Sequence, residues 1–213
     1  MEMIGLISVL VALQTTDLGG VIRLREPTVT GGTALVEALA ERRSVRQFES
    51  DLLSVEQIGQ LLWAAQGITR KGLGFRTAPS AGALYPLETY VVLSEGVYHY
   101  NPRRHQLKRV IEGDKRRELQ SAAWGQRAVG SAPAVFVFAA VYDRTSKKYG
   151  KRATRYVDME AGHACQNLLL QAVALDLGGV PVGAFRDERV AEILDLGKNE
   201  RPLYLVPVGY PAR

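Results

Sequence analysis

The spacing of apolar residues predicts helices in several parts of the chain. Thr33 can cap a first short helix. Ser54-Val55-Glu56-Gln57 forms a capping box, and the apolar stripe that follows it ends at Gly67. From about residue 155 to 177 apolar residues nearly encircle the axis, which predicts a buried central helix terminated by Gly178-Gly179. Two shorter helices are predicted, from Asp114 to about Trp124 and from Asp187 through Leu194.

Strand patterns fill much of the remaining sequence. Residues 89–94 and 97–100 alternate around Glu95-Gly96, which predicts a β-hairpin, and residues 107–111 and 203–208 add two more strands. Residues 134–141 are a continuous apolar run, typical of a strand buried on both faces at the centre of a sheet. Residues 69–77 are expected to be flexible. Because helices and strands are mixed without βαβ regularity, the sequence predicts an α+β fold.

Length and cysteine content set the general class of protein. The chain has 213 residues, enough for a single domain over 1–213, with residues 1–32 read as an extended arm or a dimer-packing segment. The apolar run from Met3 to Leu13 is shorter than the ~20 residues of a membrane helix and lacks the basic start of a signal peptide. Cys165 is the only cysteine, so no intramolecular disulfide forms. A cytoplasmic protein without a membrane partner is expected.

Charge and motifs exclude several functions. The chain has 27 basic and 22 acidic residues, a net charge of +5, which suggests an anionic ligand but is too dispersed to indicate nucleic acid. His99, His105 and His163 lack the spacing of metal ligands, so no metal site is expected. The sequence has no Gly-x-Ser-x-Gly elbow, Gly-x-Gly-x-x-Gly loop or Walker loop.

The stretch from Arg42 to Phe48 has the residues of an anion site. It reads Arg-Arg-Ser-Val-Arg-Gln-Phe, and in an extended chain Arg42, Ser44 and Arg46 point to the same side. Two guanidinium groups flanking a hydroxyl suit a phosphate monoester, because arginine offers paired donors to paired oxygens. The alternative interpretation is a solvated basic turn.

Two loops of small residues extend this hypothesis. Pro79-Ser80-Ala81-Gly82 and Pro181-Val182-Gly183-Ala184 would let the main chain approach a flat ligand closely. Arg42, Arg46 and the terminal Arg213 could hold a phosphate and polarise a ring carbonyl. Each loop alone is more often only a turn, but together these segments predict a site for a phosphorylated planar cofactor.

Several longer motifs resemble the FMN-dependent nitroreductase superfamily and, within it, the SagB-type dehydrogenases. The resemblance extends from about residue 20 to the end of the chain. The segments that carry it are Arg42-Arg43-Ser44-Val45-Arg46-Gln47-Phe48, Leu62-Trp63-Ala64-Ala65-Gln66-Gly67, Pro79-Ser80-Ala81-Gly82-Ala83-Leu84-Tyr85-Pro86, Glu160-Ala161-Gly162-His163 with Gln166-Asn167-Leu168, and Val182-Gly183-Ala184-Phe185.

The resemblance implies an α+β homodimer with FMN bound at each subunit interface. Arg42 and Ser44 would then hold the flavin phosphate, with Arg43 near the site. Arg46 would approach N1 and the C2 carbonyl of the ring, where negative charge develops on reduction.

The two small-residue loops would also contact the flavin. By resemblance, Pro79, Ser80, Ala81 and Gly82 would come from the partner subunit. The backbone of Val182, Gly183 and Ala184 would bond the ring near N5 and O4. Many superfamily members have Glu-Gly at this place, and Val182 here removes any role for a carboxylate while leaving the backbone contact.

Lys148-Tyr149 matches the position of a catalytic Lys-Tyr pair in the dehydrogenases that oxidise azoline rings in peptides. Such an oxidation requires a base that takes a Cα proton while hydride goes to flavin N5. The alternative is that Lys147, Lys148 and Lys151 form a solvated face. The substrate would be a small molecule or a peptide.

Other functions remain open at this level. A reductase of nitro compounds or quinones would use NAD(P)H as electron donor in a ping-pong reaction. A flavin-binding or peptide-scaffolding partner would have no turnover of its own. A basic nucleic-acid binder has little support, because the aromatic residues are scattered.

Overall fold

The computed structural model describes residues 16–17 and 20–212. Within them the chain forms seven α-helices and ten β-strands, with 3₁₀ turns at Ala81–Ala83 and Gly150–Arg152. The helices are α1 Leu35–Glu41, α2 Val55–Gln66, α3 Arg116–Ala122, α4 Arg127–Ser131, α5 Tyr142–Tyr149, α6 Ala153–Val173 and α7 Asp187–Ile193. The strands are β1 Thr16–Asp17, β2 Val21–Arg23, β3 Ile68–Arg70, β4 Phe75–Arg76, β5 Leu87–Leu93, β6 Gly96–Asn101, β7 Gln106–Glu112, β8 Ala134–Val141, β9 Gly178–Gly179 and β10 Glu200–Gly209.

An eight-stranded antiparallel sheet organises the described part of the chain. Its strand order is β1-β2-β7-β6-β5-β8-β10-β9, and β3 pairs separately with β4. Strand β8 lies between β5 and β10, so its long apolar run is buried on both faces, as the sequence predicts. The α+β prediction is confirmed.

Helices cover both faces of the sheet. On one face α2 and α6 pack over alternating residues of β5, β8 and β10, including Leu87, Phe136 and Val206. On the other face α3, α4 and α7 pack over the intervening residues, including Val92, Val137 and Leu205. The period-2 alternation of these strands therefore supplies a core to each layer.

The sequence predicts helix α2 correctly at both ends. The Ser54 side chain accepts a hydrogen bond from the Gln57 N–H at 3.1 Å, and the Gln57 side chain accepts one from the Ser54 N–H at 2.9 Å. This reciprocal pair satisfies two backbone donors that the first turn leaves free. Gly67 follows the last turn, as predicted.

Several local predictions are wrong. Thr33 does not cap α1, because the N-cap is Ala34 and no side chain bonds there. Residues 69–77, predicted only as a flexible stretch, include most of a hairpin in which β3, from Ile68 to Arg70, pairs with β4. The turn between β5 and β6 is one residue earlier than predicted, since Leu93 pairs with Gly96.

Two further differences concern the segment that follows β8. The charged segment around residue 148 belongs to helix α5, which the apolar pattern does not reveal because Thr145 is its one buried residue. Helix α6 ends at Val173, earlier than predicted, and Gly178-Gly179 forms the edge strand β9. Met3 to Leu13 and Arg213 lie outside the described residues.

Candidate functional site

The arginine segment is extended, and the β9–β10 edge of the sheet holds it in place. Ser44 forms a parallel bridge with Gly179, and the Val45 N–H donates to the Gly179 carbonyl at 3.1 Å. Farther along, Phe48 pairs with Pro211. The main chain is therefore anchored at both ends, and the polar side chains between the anchors are left on the surface.

The polar groups of this segment are available to a ligand. Arg43 and Arg46 donate only to nearby carbonyls, of Ala40 at 3.3 Å and of Ser44 at 3.5 Å. Within residues 16–17 and 20–212, Arg42, Arg43 and Arg46 make no ion pair. Three arginines and one serine thus follow one another on an exposed segment without an ion pair in the described part of the chain, and guanidinium and hydroxyl groups suit a phosphate.

Gly178 explains how the arginine segment comes so close to the sheet. A Cβ at Gly178 would lie 2.5 Å from Cγ2 of Val45, far inside van der Waals contact. Only glycine therefore allows the segment to pair with β9. The sequence suggests a helix terminator at Gly178-Gly179 but contains no signal for this packing, because Val45 is remote in the chain.

The loop after β9 offers two of the three backbone groups predicted to contact a ring. Val182 is buried, and both its N–H and its carbonyl bond Leu205, at 2.8 and 2.9 Å. Gly183 and Ala184 are exposed, and their N–H groups have no partner in the described part of the chain. The Ala184 carbonyl accepts from Gln126 Nε2 at 2.9 Å, which fixes the loop.

The second small-residue loop is held in an unusual backbone conformation. Gly82, Ala83 and Tyr85 have φ of 64°, 53° and 47°, in the left-handed region that favours glycine. The Ser80 hydroxyl accepts from the Tyr85 N–H at 2.9 Å, which ties the loop to itself. Ser80 also lies close enough to Glu160 on α6 to lower the pKa of that carboxyl, so the loop stands against the central helix.

Lys148 and Tyr149 lie against this loop. A Cβ built on Gly82 would be 2.8 Å from Tyr149 Oη and 2.9 Å from Lys148 Nζ. The Lys148 ammonium also lies 5.5 Å from the centre of the Tyr149 ring, and that ring packs edge-on against Tyr156 at 5.1 Å. The structure thus brings together a sequence pair and a loop that are more than 60 residues apart.

A cavity of about 270 Å³ opens beside the loop and reaches a buried acid. Glu160 is 3% exposed, and its Oε1 has no hydrogen-bond partner among residues 16–17 and 20–212. Burial raises the pKa of the Glu160 carboxyl to about 7, against the opposing effects of Ser80 and the Arg76 charge. The cavity walls are Pro79, Ser80, Ala81, Tyr156, Met159, Glu160 and His163.

Sequence reasoning assigns no role to Glu160 or to the polar groups near it. Arg76 donates to the buried Gln66 side chain at 2.7 Å and stacks over the Tyr85 ring at 4.6 Å. Two signals were available: Glu160 lies in one of the motifs that carry the resemblance, and it is an acidic residue inside a helix predicted to be buried, where a carboxylate is rare without a partner. The groups that act on Glu160, Ser80 and Arg76, belong to other parts of the chain and could not be predicted from the sequence of the helix.

Helix α5 is itself fixed to the start of β5. Arg144 donates to the Tyr85 carbonyl at 3.2 Å and pairs with the Glu88 carboxylate. Arg144 precedes Lys148 by one helical turn, so the two side chains lie on the same face of α5. This contact sets where Lys148 and Tyr149 stand relative to the loop.

The site residues form two groups within one chain. The arginine half-site contains Arg42, Arg43, Ser44, Arg46, Gly183 and Ala184, and the loop half-site contains Pro79, Ser80, Ala81, Gly82, Lys148, Tyr149 and Glu160. The loop enters β5 at Leu87, level with Arg201 of β10, whereas Ser44 lies beside Gly179, level with Val208. Seven residues of β10 separate these levels, roughly 23 Å along the strand, whereas Val182, next to Gly183 and Ala184, pairs with Leu205, four residues or roughly 13 Å from the level of Leu87.

Neither a reactive thiol nor a metal cluster is found in the described part of the chain. Cys165 is buried on α6, and burial raises the pKa of its thiol to about 12. Within the described residues no group of His, Cys, Asp or Glu could hold a metal ion. In the same part of the chain, none of the helices has the length and apolar character required to span a bilayer.

Fold and site together define an α+β protein with an arginine-rich segment at one sheet edge and a cavity beside a second loop. The model of the Nitroreductase family matches residues 39–210. The chain therefore belongs to the nitroreductase family and is an oxidoreductase.

Relatives and solved structures agree with this assignment. A protein from Methanocaldococcus jannaschii named as a nitroreductase, MJ1384, is 46% identical over 181 residues, covering 82% of this chain and 90% of the relative. A nitroreductase-type crystal structure from Ralstonia eutropha superposes with a TM-score of 0.85 at 34% identity, covering 91% of this chain and 90% of that one.

More distant relatives are named for two kinds of function, peptide processing and flavin reduction. The microcin B17-processing protein McbC of Escherichia coli is 29% identical over 71% of this chain, which spans 60% of the relative. The NADPH-flavin oxidoreductase of Vibrio harveyi is 27% identical over 83% of this chain, which spans 65% of the relative.

Proposed function

We propose that the chain is an FMN-dependent oxidoreductase of the SagB type and acts as a homodimer. One observation carries the proposal: three guanidinium groups without an ion pair among the described residues, and the Ser44 hydroxyl, lie on a fixed segment at the same sheet edge as the exposed N–H groups of Gly183 and Ala184. A flavin mononucleotide has a phosphate for the first set and ring acceptors for the second. The residues present therefore fit the group.

The separation of the two half-sites supports a dimer. Along β10 the level of Leu87 differs by roughly 23 Å from that of Ser44 and by roughly 13 Å from that of Val182, which pairs with Leu205, so the loop half-site lies apart from the Gly183 and Ala184 N–H groups of the same chain. A second copy that placed its loop half-site against the arginine half-site would complete the site. Helix α1 supports such a contact, because Leu35, Val36 and Leu39 on it are 65%, 72% and 53% exposed.

Each residue then has a separate task. Arg42 and Ser44 would hold the phosphate, with Arg43 beside them. Arg46 would stabilise negative charge on the flavin ring near N1 and the C2 carbonyl. The Gly183 and Ala184 N–H groups orient the ring edge. When bound, FMN supplies the hydride chemistry at N5.

Lys148 and Tyr149 would handle the proton. Oxidation of an azoline to an azole removes one hydride and one Cα proton, so a base must stand beside the substrate. The Lys148 amine and the Tyr149 hydroxyl lie beside Gly82, 2.9 and 2.8 Å from a Cβ built on it, next to the loop residues that line the cavity. In this proposal the pair takes that proton, and Arg144 fixes the helix that carries it.

The absorption spectrum of the purified protein tests the cofactor. After incubation with FMN and desalting, the wild-type protein should keep the flavin bands, and light scattering should give twice the chain mass of 23.4 kDa. A colourless protein after this treatment would refute the cofactor assignment. A monomer that keeps its flavin would refute the shared site alone.

Lys148→Ala tests the proton-handling role, with the neighbouring exposed Lys147→Ala as its matched control. Both variants should keep FMN. With a saturating thiazoline-containing peptide under anaerobic conditions, Lys148→Ala should slow flavin bleaching at least ~100-fold, the lower end of the usual contribution of acid–base catalysis. If flavin bleaching is as fast in Lys148→Ala as in the wild type, Lys148 has no role in proton transfer and is only a surface charge.

A second candidate is NAD(P)H-dependent reduction of nitro compounds or quinones. The similarity to the Vibrio harveyi NADPH-flavin oxidoreductase favours it. Anaerobic mixing separates the two: fast bleaching by NADPH supports the reductase, whereas bleaching by the azoline peptide alone supports the dehydrogenase.

A further inference from the structure

One short segment of the chain is strongly basic. Residues 147–155 contain five cations and no acidic residue, and all five are exposed. Of the 27 basic residues in the chain, 22 lie outside this segment, equal to the 22 acidic residues, so the net charge of +5 resides here. The five cations are Lys147, Lys148, Lys151, Arg152 and Arg155.

These cations are not used to stabilise the fold. In the described part of the chain none of the five forms an ion pair. Lys151, Arg152 and Arg155 surround the N-terminus of α6, whose first turn contains no acidic residue. Cations are disfavoured there by the helix dipole, so an anion that binds would relieve this repulsion.

The segment adjoins the loop half-site. Lys148 Nζ lies 2.9 Å from a Cβ built on Gly82, and Tyr149 packs edge-on against Tyr156, which lines the cavity. A ligand held along residues 147–155 would therefore extend directly from the cavity mouth.

We propose that residues 147–155 dock an acidic stretch of a peptide substrate and hold it beside the cavity. This inference rests on the proposed function for the role of the cavity. Charges at five separate points suit carboxylates spaced along a chain, whereas a phosphate needs several donors that converge on one point. Nucleic-acid bases would need free aromatic faces, but Tyr149 and Tyr156 pack against each other and Lys148 lies over Tyr149.

Fluorescence anisotropy with two labelled peptides tests the inference. Both are twelve residues long with a central cysteine, and one carries five glutamates where the other carries five glutamines. The wild-type protein should bind the glutamate peptide at least roughly tenfold more tightly in 50 mM NaCl. This preference should largely disappear in 500 mM NaCl, where surface charges are screened within a few ångströms.

A pair of double variants locates the binding surface. Lys151→Gln with Arg152→Gln should weaken binding of the glutamate peptide roughly threefold to tenfold, the combined effect of two exposed charge pairs. Arg117→Gln with Arg127→Gln removes the same net charge from exposed positions on α3 and α4, across the sheet from α6, and should leave affinity unchanged. Neither pair touches Lys148.

Three outcomes would overturn the inference: equal affinity for the two peptides, equal losses in the two double variants, or tighter binding of a single-stranded twelve-nucleotide DNA than of the glutamate peptide. The measurement requires no turnover and no bound flavin. A protein that binds FMN but does not distinguish the peptides therefore refutes only the docking surface. A colourless protein that prefers the glutamate peptide refutes only the cofactor assignment.

Discussion

Replacing Glu160 with glutamine is expected to make the stability of the protein less dependent on pH. Glu160 is 3% exposed, and burial raises the pKa of its carboxyl from 4.5 to about 7 in the folded state. Between these values the folded protein binds a proton that the unfolded chain has released. The stabilisation by this proton is therefore fully present below pH 4.5 and is lost as the pH rises through 7.

The two pKa values set the size of the effect. At pH 5.5 the carboxyl is protonated in the folded state and ionised in the unfolded state, whereas at pH 8.5 it is ionised in both. Linkage then gives a stabilisation at pH 5.5 that is about 2 kcal/mol larger than at pH 8.5. Glutamine has nearly the same shape, but it cannot ionise. The variant should lack this difference.

Urea unfolding at pH 5.5 and 8.5, followed by circular dichroism at fixed protein concentration, measures both free energies. From pH 5.5 to pH 8.5 the free energy of unfolding of the wild type should fall by about 2 kcal/mol more than that of Glu160→Gln. Glu188→Gln, which removes an exposed carboxyl from α7, should change equally with the wild type. If Glu160→Gln and wild type lose the same free energy of unfolding, the buried carboxyl has an ordinary pKa and the reasoning fails.

Three further substitutions test other parts of the structure. Arg42→Ala should weaken FMN binding by ~1.5–3 kcal/mol in a fluorescence titration, because a charge-assisted hydrogen bond is lost. Gly82→Ala should lower stability by about 1 kcal/mol, since φ there is 64°, and should slow flavin bleaching by the azoline peptide because its Cβ displaces Lys148 and Tyr149. Ser54→Ala should lower the free energy of unfolding by about 1 kcal/mol in a thermal melt, because the cap of α2 is lost.

Each of these expectations has a contrary result. Unchanged flavin affinity in Arg42→Ala would remove Arg42 from the phosphate site. A Gly82→Ala protein with wild-type bleaching rates would show that the pair does not work through contact with this loop. A Ser54→Ala protein as stable as wild type would mean that solvent replaces the cap without cost.

Much of the fold follows from local pattern. Helix α2 carries its own cap and stop signals, and strands β5 to β8 and β10 have the alternation or continuous apolar character that their burial requires. Helix α5 was not predicted from the sequence, because its residues are mostly polar and its helical state depends on contacts such as that of Arg144 with the start of β5. The hairpin of β3 and β4 was not predicted, because strands of two or three residues are too short to show a periodic pattern.

Some residues of the candidate site could be predicted from the sequence and others could not, for the same reason. The arginine segment, the two small-residue loops and the Lys148-Tyr149 pair could be chosen from sequence, because each has unusual chemistry within a few adjacent residues. Glu160 could not be given a role, because its environment comes from the loop at Ser80 and from Arg76. Val182 could not be recognised as bonded to Leu205, since strand pairing joins distant residues.

By itself the sequence determined the α+β class and the chemistry of the separate motifs, since periodicity and residue type are local properties. Only the tertiary structure decided which motifs stand together. It joined Ser44 to Gly179 and Lys148 to Gly82, and it separated these two groups along β10. The reason is physical: distances across a sheet depend on strand order and register, which are fixed by burial of the whole core and not by any one segment.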